Sequence, residues 1–494
     1  MNKFNIKDFN DYLPLRSALE KSLYIVFQEE NIDKEKFIKY MHEAEASNSI
    51  IIFYNINFTE INLYGLEFYI PIIFYKCKFE KALKFTNCHF FYQIFFHSIT
   101  FDCSAKFKLS IFYNGISFIN SVFKSETSFE RVKFLPTSLK YIKREILNLE
   151  INFPTLFYIR NTIDFLGISF LGDVSFINSN FGCSALFASY KDQETAFYKN
   201  ADFSCLIEEV EILNIANDKN SEVKYSKEIE IPLDKFHRIF FHEIKFYGEV
   251  NFENRVFQKK TSFTNSIFHR APKFHNCDIH QDTDFRGVDF IDTYSEGAEQ
   301  AYRSLKLIMD KKKARREEGM FFALEQKSLL NAPIRTYDIK LINNIRIAID
   351  RFIVKVISLP QTSNSYYKNS TYNSGFCVSL TEKILSFCYL ALSNYGQSIK
   401  RPILILLALL FGVFPILYKN ILSKTNFISK SWGSAYHLSL QQFFRPFEIY
   451  TAKFMLQFND LPFSLILLAT MQGMINVGLL TMFILAIRNR FKMY

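Results

Sequence analysis

Three histidines come closest, by residue type and spacing, to a chemical site in this 494-residue chain. His269, His275 and His280 carry imidazole nitrogens, which are common zinc ligands. Each directly follows a residue of the repeat described below, so we expect the three to lie on different faces as solvated side chains. The sequence contains no Gly-x4-Gly-Lys-Ser/Thr loop, no Gly-x-Ser-x-Gly elbow and no His-Glu-x-x-His helix. We predict a protein that is not an enzyme and has neither cofactor nor metal.

The eight cysteines could offer a second chemistry, as metal ligands or disulfides. No pair has the spacing of a zinc ribbon. Six of them keep a fixed place relative to the repeat, either two residues before or two residues after a large apolar residue: Cys77, Cys88, Cys277, Cys103, Cys183 and Cys205. This pattern predicts small, buried, reduced side chains.

A phenylalanine repeat must position these residues, and it explains why the chain holds 57 phenylalanines. From Phe68 to Phe134 the gaps alternate between five and six residues, so the period is eleven, and the rhythm returns over 165–187 and 241–290. Neither an α-helix nor a strand has this period. A chain that turns one corner per large residue does, which predicts a solenoid with a ring-filled axis. The core stack should include Phe85, Phe96, Phe107, Phe118, Phe129, Phe252, Phe263 and Phe274.

The residue two places before each phenylalanine is mostly small, as in Ala105, Ser110 and Ser121, and fills a second inward slot. In both features the chain resembles the pentapeptide-repeat proteins. The resemblance implies a right-handed, four-sided β-helix with one five-residue repeat on each face. The extra residue in every second repeat departs from that family and predicts about twenty-two residues per coil.

The organisation that we expect has five parts. They are an N-terminal helical cap (1–47, with an amphipathic helix over Lys34–Ala46), the β-helix (48–293, with insertions near 135–162 and 204–238), a helical hairpin (294–335), amphipathic helices with a polar linker (336–399), and a transmembrane module (400–494).

Two helical stretches leave alternatives open. The run from Lys311 to Glu318 fits either a patch for nucleic acid or anionic lipid or, as we favour, a solvated hairpin tip. Its surroundings, Tyr302–Lys306 and Phe321–Glu325, resemble the helical module that follows the repeats in membrane-bound members of the family. Ile345–Leu359 is amphipathic and fits either a membrane surface or ordinary packing.

The last hundred residues change class. Ile403–Leu417 and Leu461–Ile487 carry no charge, which predicts spans of about 400–420 and 461–487 and a multi-pass protein with both termini on one side. The bases at Lys400, at Arg401 and after the second span favour the cytoplasm for that side. Met1–Phe27 lacks the apolar core of a secretory signal. We therefore expect an inner (cytoplasmic) membrane protein with its N-terminal domain in the cytoplasm.

The order of helix, connector and helix resembles the two-helix pore module of potassium-channel-like proteins. The resemblance implies a re-entrant segment over 434–447. Glycines for helix packing or a hinge would be Gly473 and Gly478, and Gln472 and Asn476 would face the bundle interior. The matching filter position, 445–451, has no glycine, which argues against selective potassium conduction. The same residues also fit simple helix packing without a pore, and we weigh the two interpretations equally.

Charge excludes one further class. Some pentapeptide-repeat proteins mimic duplex DNA with an acidic surface, but 60–133 holds six acids and nine bases. We predict no nucleic-acid partner. The expected partners are membrane lipid, further copies of the chain and an unidentified protein on the solenoid. The predicted function is a channel-like membrane protein whose solenoid senses or docks that protein; the alternative is a membrane-tethered scaffold without transport.

Overall fold

The computed structural model of the protein describes residues 19, 23–28, 31–135, 162–205, 210–215, 227–232, 234–332, 379–396, 398–424, 432–445 and 462–491. These residues belong to two compact units, 1–312 and 313–494, whose boundary falls inside the segment predicted as a helical hairpin. Each unit is described by itself. The amphipathic stretch Ile345–Leu359 and the linker that follows it lie outside the described residues.

The first unit is a β-solenoid made of four ladders of parallel strands, which we call A, B, C and D in their order along each coil. Ladder A contains Tyr24–Phe27, Ile50–Tyr54, Ile72–Tyr75, Ile94–His97, Ile116–Ile119, Thr162–Leu166 and the C-terminal parts of Asn180–Ala188 and Lys235–His242. Ladder B contains Asn31–Ile32, the N-terminal parts of Asn57–Tyr64 and Lys78–Thr86, Thr100–Phe101, Val122–Phe123, Ser169–Phe170, Thr195–Phe197, Ile244–Phe246, Ile267–Phe268 and Asp289–Phe290.

Ladders C and D complete each coil. Ladder C contains the C-terminal parts of Asn57–Tyr64 and Lys78–Thr86, then Ser104–Lys106, Thr127–Ser128, Val174–Ser175, Ala201–Asp202 and Val250–Asn251. Ladder D contains Glu67–Phe68, His89–Phe90, Ile111–Phe112, Lys133–Phe134, the N-terminal parts of Asn180–Ala188 and Lys235–His242, and Val256–Phe257. Regular coils repeat after 22 residues, as the eleven-residue period in a four-sided coil predicts.

Phenylalanine rings fill the axis between the ladders. Phe96 stacks on Phe118 with ring centroids 4.7 Å apart, and Phe107 stacks on Phe129 at 4.9 Å. Neighbouring columns meet edge to face, as Phe107 and Phe118 do at 5.9 Å. This is the arrangement that aromatic quadrupoles favour. The eight predicted core rings are each at most 1 % exposed. The axis is therefore a packed core.

The alternation of five and six residues follows from two kinds of corner. Residues with positive φ recur two places after the rings of ladders A and C, for example Asn87 (53°), Asn120 (54°) and Asn265 (55°). These corners belong to the five-residue repeats. Asparagine tolerates the left-handed region better than most residues, and that conformation makes a tight turn. The six-residue corners use one more residue in place of that tight turn.

The small inward slot joins successive coils. The hydroxyl of Ser110 accepts a hydrogen bond from the Cys88 backbone N–H (3.1 Å) and donates to the carbonyl of Phe85 (2.9 Å). Ser121 repeats this role at Ile99. Of the cysteines in the slot, Cys77 and Cys88 are buried and Cys277 is half-buried. Burial raises the pKa of the Cys77 thiol to about 12, so it stays protonated and unreactive.

Helices cover both ends of the ring column. Helix α1 (Lys34–Ala46) begins at the N-cap Asp33, and its Phe37 ring stacks on Phe53 at 5.3 Å. The first coil starts at Tyr24, earlier than the predicted boundary at residue 48, because strands on both sides of residue 30 pair with the next coil. At the other end lies α2 (Ala298–Lys311), whose Tyr302 contacts Phe290 edge to face and donates to the Asp292 carbonyl.

Insertions lengthen some coils without shifting the rings. Ladder partners lie 47 residues apart across 136–161, which is outside the described residues, and 27 apart across a turn near Tyr190. Within the second predicted insertion, the strands Val210–Ile215 and Lys227–Pro232 pair antiparallel with each other.

Arg255 occupies the small slot of ladder D and is fully buried, which sequence reasoning missed. No ladder strand is described between Cys205 and Asp234, so this coil has a gap between its strands of ladders C and D. The Arg255 guanidinium donates hydrogen bonds to four backbone carbonyl oxygens near this gap. They belong to Phe176, Ser179, Phe203 and Ser204. Burial lowers the pKa of Arg255 to about 10, so it remains a cation at neutral pH.

The second unit is helical. Its elements are α3 (Arg315–Asn331), α4 (Leu380–Ser393), α5 (Lys400–Ala408), a π-helical turn (Leu409–Val413), α6 (Phe414–Lys424), α7 (Trp432–Phe444) and α8 (Phe463–Phe491). A capping box between Ser379 and Glu382 starts α4. Two helices, Lys400–Ser423 and Phe463–Arg488, are long and apolar enough to cross a membrane.

Candidate functional site

A hydrogen-bonded network joins the two candidate spans and α7. The hydroxyl of Tyr418 donates to Gln472 Oε1 (2.8 Å), and Gln472 Nε2 donates to the carbonyl of Ser439 (2.9 Å). The Ser439 hydroxyl donates in turn to the carbonyl of Leu410 (2.8 Å), which lies in the π-helical turn. A π-turn disturbs the regular i→i−4 bonding, so this carbonyl can accept from a neighbouring helix. The network fixes α7 against both spans.

Two further amides lie beside this network without hydrogen-bond partners. The side chains of Gln442 and Asn476 are 0 and 4 % exposed. Within the described part of the chain, neither the nitrogen nor the oxygen of either amide has a partner. A buried polar atom left unpaired costs about 1–3 kcal/mol, so such a pair needs an explanation. We call Gln442 and Asn476 the amide pair.

The two predicted glycines of the second span have different surroundings. Gly473, which directly follows the network residue Gln472, is buried. Gly478 is exposed, and a Cβ atom built on it would meet nothing within 4 Å. Of the four predicted pore or packing residues, Gln472, Gly473 and Asn476 therefore lie in the interior of the unit. Gly478 faces away from it.

The outer surface of the spans is apolar. Only 28 and 33 % of their most hydrophobic windows is buried in the unit. Large side chains are open to the surroundings, among them Leu404 (64 %) and Met474 (67 %). At the end of the first span, the Lys419 ammonium lies 3.7 Å from the ring centroid of Trp432, at the start of α7. Tryptophan and lysine are typical of the ends of membrane spans.

The solenoid carries an exposed apolar column on ladder B, one side chain per coil. We call it the outer stripe: Leu171, Tyr198, Tyr247, His269 and Ile291. The rings of Tyr198 and Tyr247 stack at 5.1 Å, and those of Tyr247 and His269 at 4.5 Å. Tyr198 and Ile291 are about half exposed, at 47 and 52 %. Strands are about 4.8 Å apart, so the stripe is about 19 Å long.

Polar groups flank the outer stripe. Lys245 forms an ion pair with Glu194 (2.7 Å), and both line a surface pocket of about 400 Å³ that also contains Asp192. Partial burial, together with the Lys245 charge, lowers the pKa of His269 below its ordinary value. His269 is therefore held neutral, which suits a ring stacked on Tyr247.

The three histidines lie on different ladders. His269 follows Phe268 on ladder B, and its ring stacks in the outer stripe. His275 follows a ring of ladder C, and His280 lies 3.7 Å from Asp282 beyond ladder D. Within the described residues, no group of three His, Cys, Asp or Glu side chains could hold a metal ion.

The basic run is partly neutralised. Lys312, in the solenoid unit, forms an ion pair with Asp278 at 2.7 Å. Arg315, at the start of α3, pairs with Glu318 at 2.8 Å. These pairs offset part of the positive charge of the run.

Fold and site together define a β-solenoid protein with two helices that could span a membrane. Compared with known proteins, the chain matches no family model, no curated protein and no solved structure.

Sequence reasoning missed Tyr418 and Ser439, which carry the network with Gln472. Both stand among apolar residues, where an isolated hydroxyl must find a partner, and that was the available signal.

Proposed function

We propose that this protein is an inner-membrane, multi-pass protein with a channel-like membrane module and a cytoplasmic solenoid that docks or senses a protein partner. The solenoid is, on this proposal, a right-handed variant of the pentapeptide-repeat β-helix. The observation that supports it best is the network of Tyr418, Ser439 and Gln472. It holds a short helix between two apolar helices, as a re-entrant helix of a pore module would be held.

The exposed apolar surface of the spans supports insertion. The core helix of a soluble protein buries most of its length, whereas these two windows are 28 and 33 % buried. This exposure agrees with a module whose outer surface contacts lipid and further copies of the chain.

The sequence at the filter position restricts which ions the module could select. A potassium filter replaces the hydration shell of the ion with backbone carbonyls on a glycine-containing loop. The sequence from Arg445 to Thr451 holds no glycine. The proposed module therefore lacks a potassium filter, and any flux that it supports should not be selective for potassium.

Ion flux through proteoliposomes of the full-length protein tests the proposal. Gly473→Leu places a bulky side chain in the buried interface and should change the flux. Gly478→Leu is the matched control, because its position is open within one chain. Flux that responds to Gly473→Leu and not to Gly478→Leu supports a pathway through the module. Absence of flux from folded, inserted protein refutes it.

The outer stripe favours the second candidate, a membrane-tethered scaffold without transport. Exposed, stacked aromatic side chains are typical of protein interaction sites. Under this alternative, Tyr198→Ser with Tyr247→Ser would abolish partner capture while the proteoliposomes show no flux in any variant. Protease added to right-side-out vesicles tests the topology, since a cytoplasmic solenoid should be protected.

A further inference from the structure

The amide pair presents four polar atoms for which the described residues supply no partner. Gln442 and Asn476 are almost completely enclosed within one chain. A second copy of the chain cannot reach them without moving the helices. Two donor groups and two acceptor oxygens left unpaired in an apolar module would cost several kcal/mol. A small ligand that enters the module would remove this cost.

The helix register places the two amides at the same level. Ala435 of α7 belongs to one apolar cluster with Ala469 of α8. One turn further along, Ser439 of α7 bonds Gln472 of α8. Trp432 lies at Lys419 and Ser439 bonds Leu410, so α7 runs antiparallel to the first span. Tyr418 bonds Gln472, and α5 also contacts α8, which starts only nine residues before Gln472, so α8 runs antiparallel to the first span as well. Both helices therefore advance in the same direction along their contact. The amide pair follows on the next turn of each helix, about 5.4 Å beyond the Ser439–Gln472 bond.

The chemistry of the amide pair selects the ligand. A bare cation would be attracted by the two oxygens and repelled by the two NH₂ groups, and an anion would meet the opposite conflict. Neither side chain carries a charge that could balance an ion. A neutral molecule that both donates and accepts hydrogen bonds satisfies all four atoms. Water is the smallest such molecule, and two to four polar partners are what a buried water needs.

We propose that the amide pair jointly binds water, which makes the layer between α7 and α8 a hydrated polar site. The inference rests on the proposed function, because the site lies inside the proposed membrane module. It deepens that function by assigning to the module an internal site for small neutral hydrogen-bonding molecules and not for ions.

Thermal melts of the purified full-length protein in detergent test the proposal, because a hydrated site and a dry site predict opposite orders for the Tm values of Asn476→Leu and Asn476→Ala. Asn476→Leu keeps much of the volume and excludes water, whereas Asn476→Ala opens space that water can fill. If the site is hydrated, Asn476→Leu lowers the Tm more than Asn476→Ala does, by about 2–4 °C. In a dry site the order is reversed, since Leu removes unpaired atoms and Ala leaves a cavity. That reversed order would overturn the proposal.

Two further measurements complete the test. Gln442→Leu combined with Asn476→Leu should lower the Tm by little more than the larger single change, because both residues lose one shared ligand. Additive effects would overturn the shared site. A wild-type Tm that rises when potassium or sodium replaces choline, with the rise lost in Asn476→Ala, would identify a cation and also overturn it. Leu465→Ala, in the apolar cluster, serves as the control for ordinary core truncation. None of these readouts depends on flux, so failure of the site and failure of transport remain distinguishable.

Discussion

Truncation of one ring in the middle of the solenoid should unfold its neighbourhood and leave distant coils intact. Phe107 is fully buried and contacts five other rings. They are Phe85 (5.8 Å), Phe96 (6.1 Å), Phe112 (6.4 Å), Phe118 (5.9 Å) and Phe129 (4.9 Å). Phe→Ala changes in cores cost about 3–5 kcal/mol. Each coil contacts only its neighbours, so the cost should be local.

Hydrogen exchange read by mass spectrometry measures this cost coil by coil. The Phe107 N–H donates to the Ser128 carbonyl at 2.8 Å and reports on the pairing of two coils. A loss of about 3–5 kcal/mol corresponds to roughly 10²–10⁴-fold faster exchange in peptides from 100–129. Peptides from 241–290 should be unchanged in Phe107→Ala.

A matched control separates ring stacking from the mere loss of an aromatic residue. Tyr64 lies on the same ladder but points outward, with 72 % of its side chain exposed. Tyr64→Ala should leave exchange unchanged. Phe107→Asp should unfold or aggregate the solenoid, because it buries an unpaired charge. Exchange in Phe107→Ala within tenfold of the wild type would refute a core built from stacked rings.

Three more predictions concern single positions in the solenoid. Arg255→Met should destabilise the coils around 176–204 by about 3 kcal/mol or more, because it removes the donors of several buried carbonyls; unchanged exchange there would contradict this role. Asn120→Ala should lower the free energy of unfolding by about 1 kcal/mol and thereby lower the Tm, because Ala is strained at φ 54°. Asn120→Gly should leave the Tm unchanged, because Gly adopts this φ without strain. The pKa of His269 is lowered in the folded protein, so on acidification His269 is protonated in the unfolded chain before it is protonated in the folded one. The free energy of unfolding should therefore fall as the pH drops below about 6.5. Urea melts at pH 5 and 7 should show this loss, and His269→Gln should reduce it.

The repeat could be predicted from sequence because one residue type marks each corner. The large residue and the small residue two places earlier define the inward positions, and the period of eleven, combined with the four-sided coil that the family resemblance implied, gave the coil length of 22 residues. The helix Lys34–Ala46 was also predicted correctly, since its apolar residues have helical spacing and Asp33 caps it.

Other features could not be predicted, because they depend on contacts between distant residues. Arg255 stands at an inward position of the repeat, yet nothing local shows that carbonyls about 50 and 80 residues away would surround it. The recurrence of asparagine two places after rings of ladders A and C did hold a signal for the tight corners. In the second unit, Gln472 and Asn476 could be singled out as polar residues in an apolar run. Which of them finds a partner depends on how α7 lies against α8.

The 22-residue coil also determines which positions of the sequence become neighbours on the surface of the solenoid. Two residues that contact each other on its outer surface are usually one full coil apart in the chain. In regular coils, each surface column therefore consists of every twenty-second residue of the sequence. The last three residues of the outer stripe, Tyr247, His269 and Ile291, form one such column, and insertions widen the spacing between Leu171, Tyr198 and Tyr247. A change of one residue replaces one rung of a column and leaves adjacent columns untouched. Duplication of one coil would add one residue to every column at once. The length of the solenoid and the chemistry of its surface can therefore evolve separately in this fold.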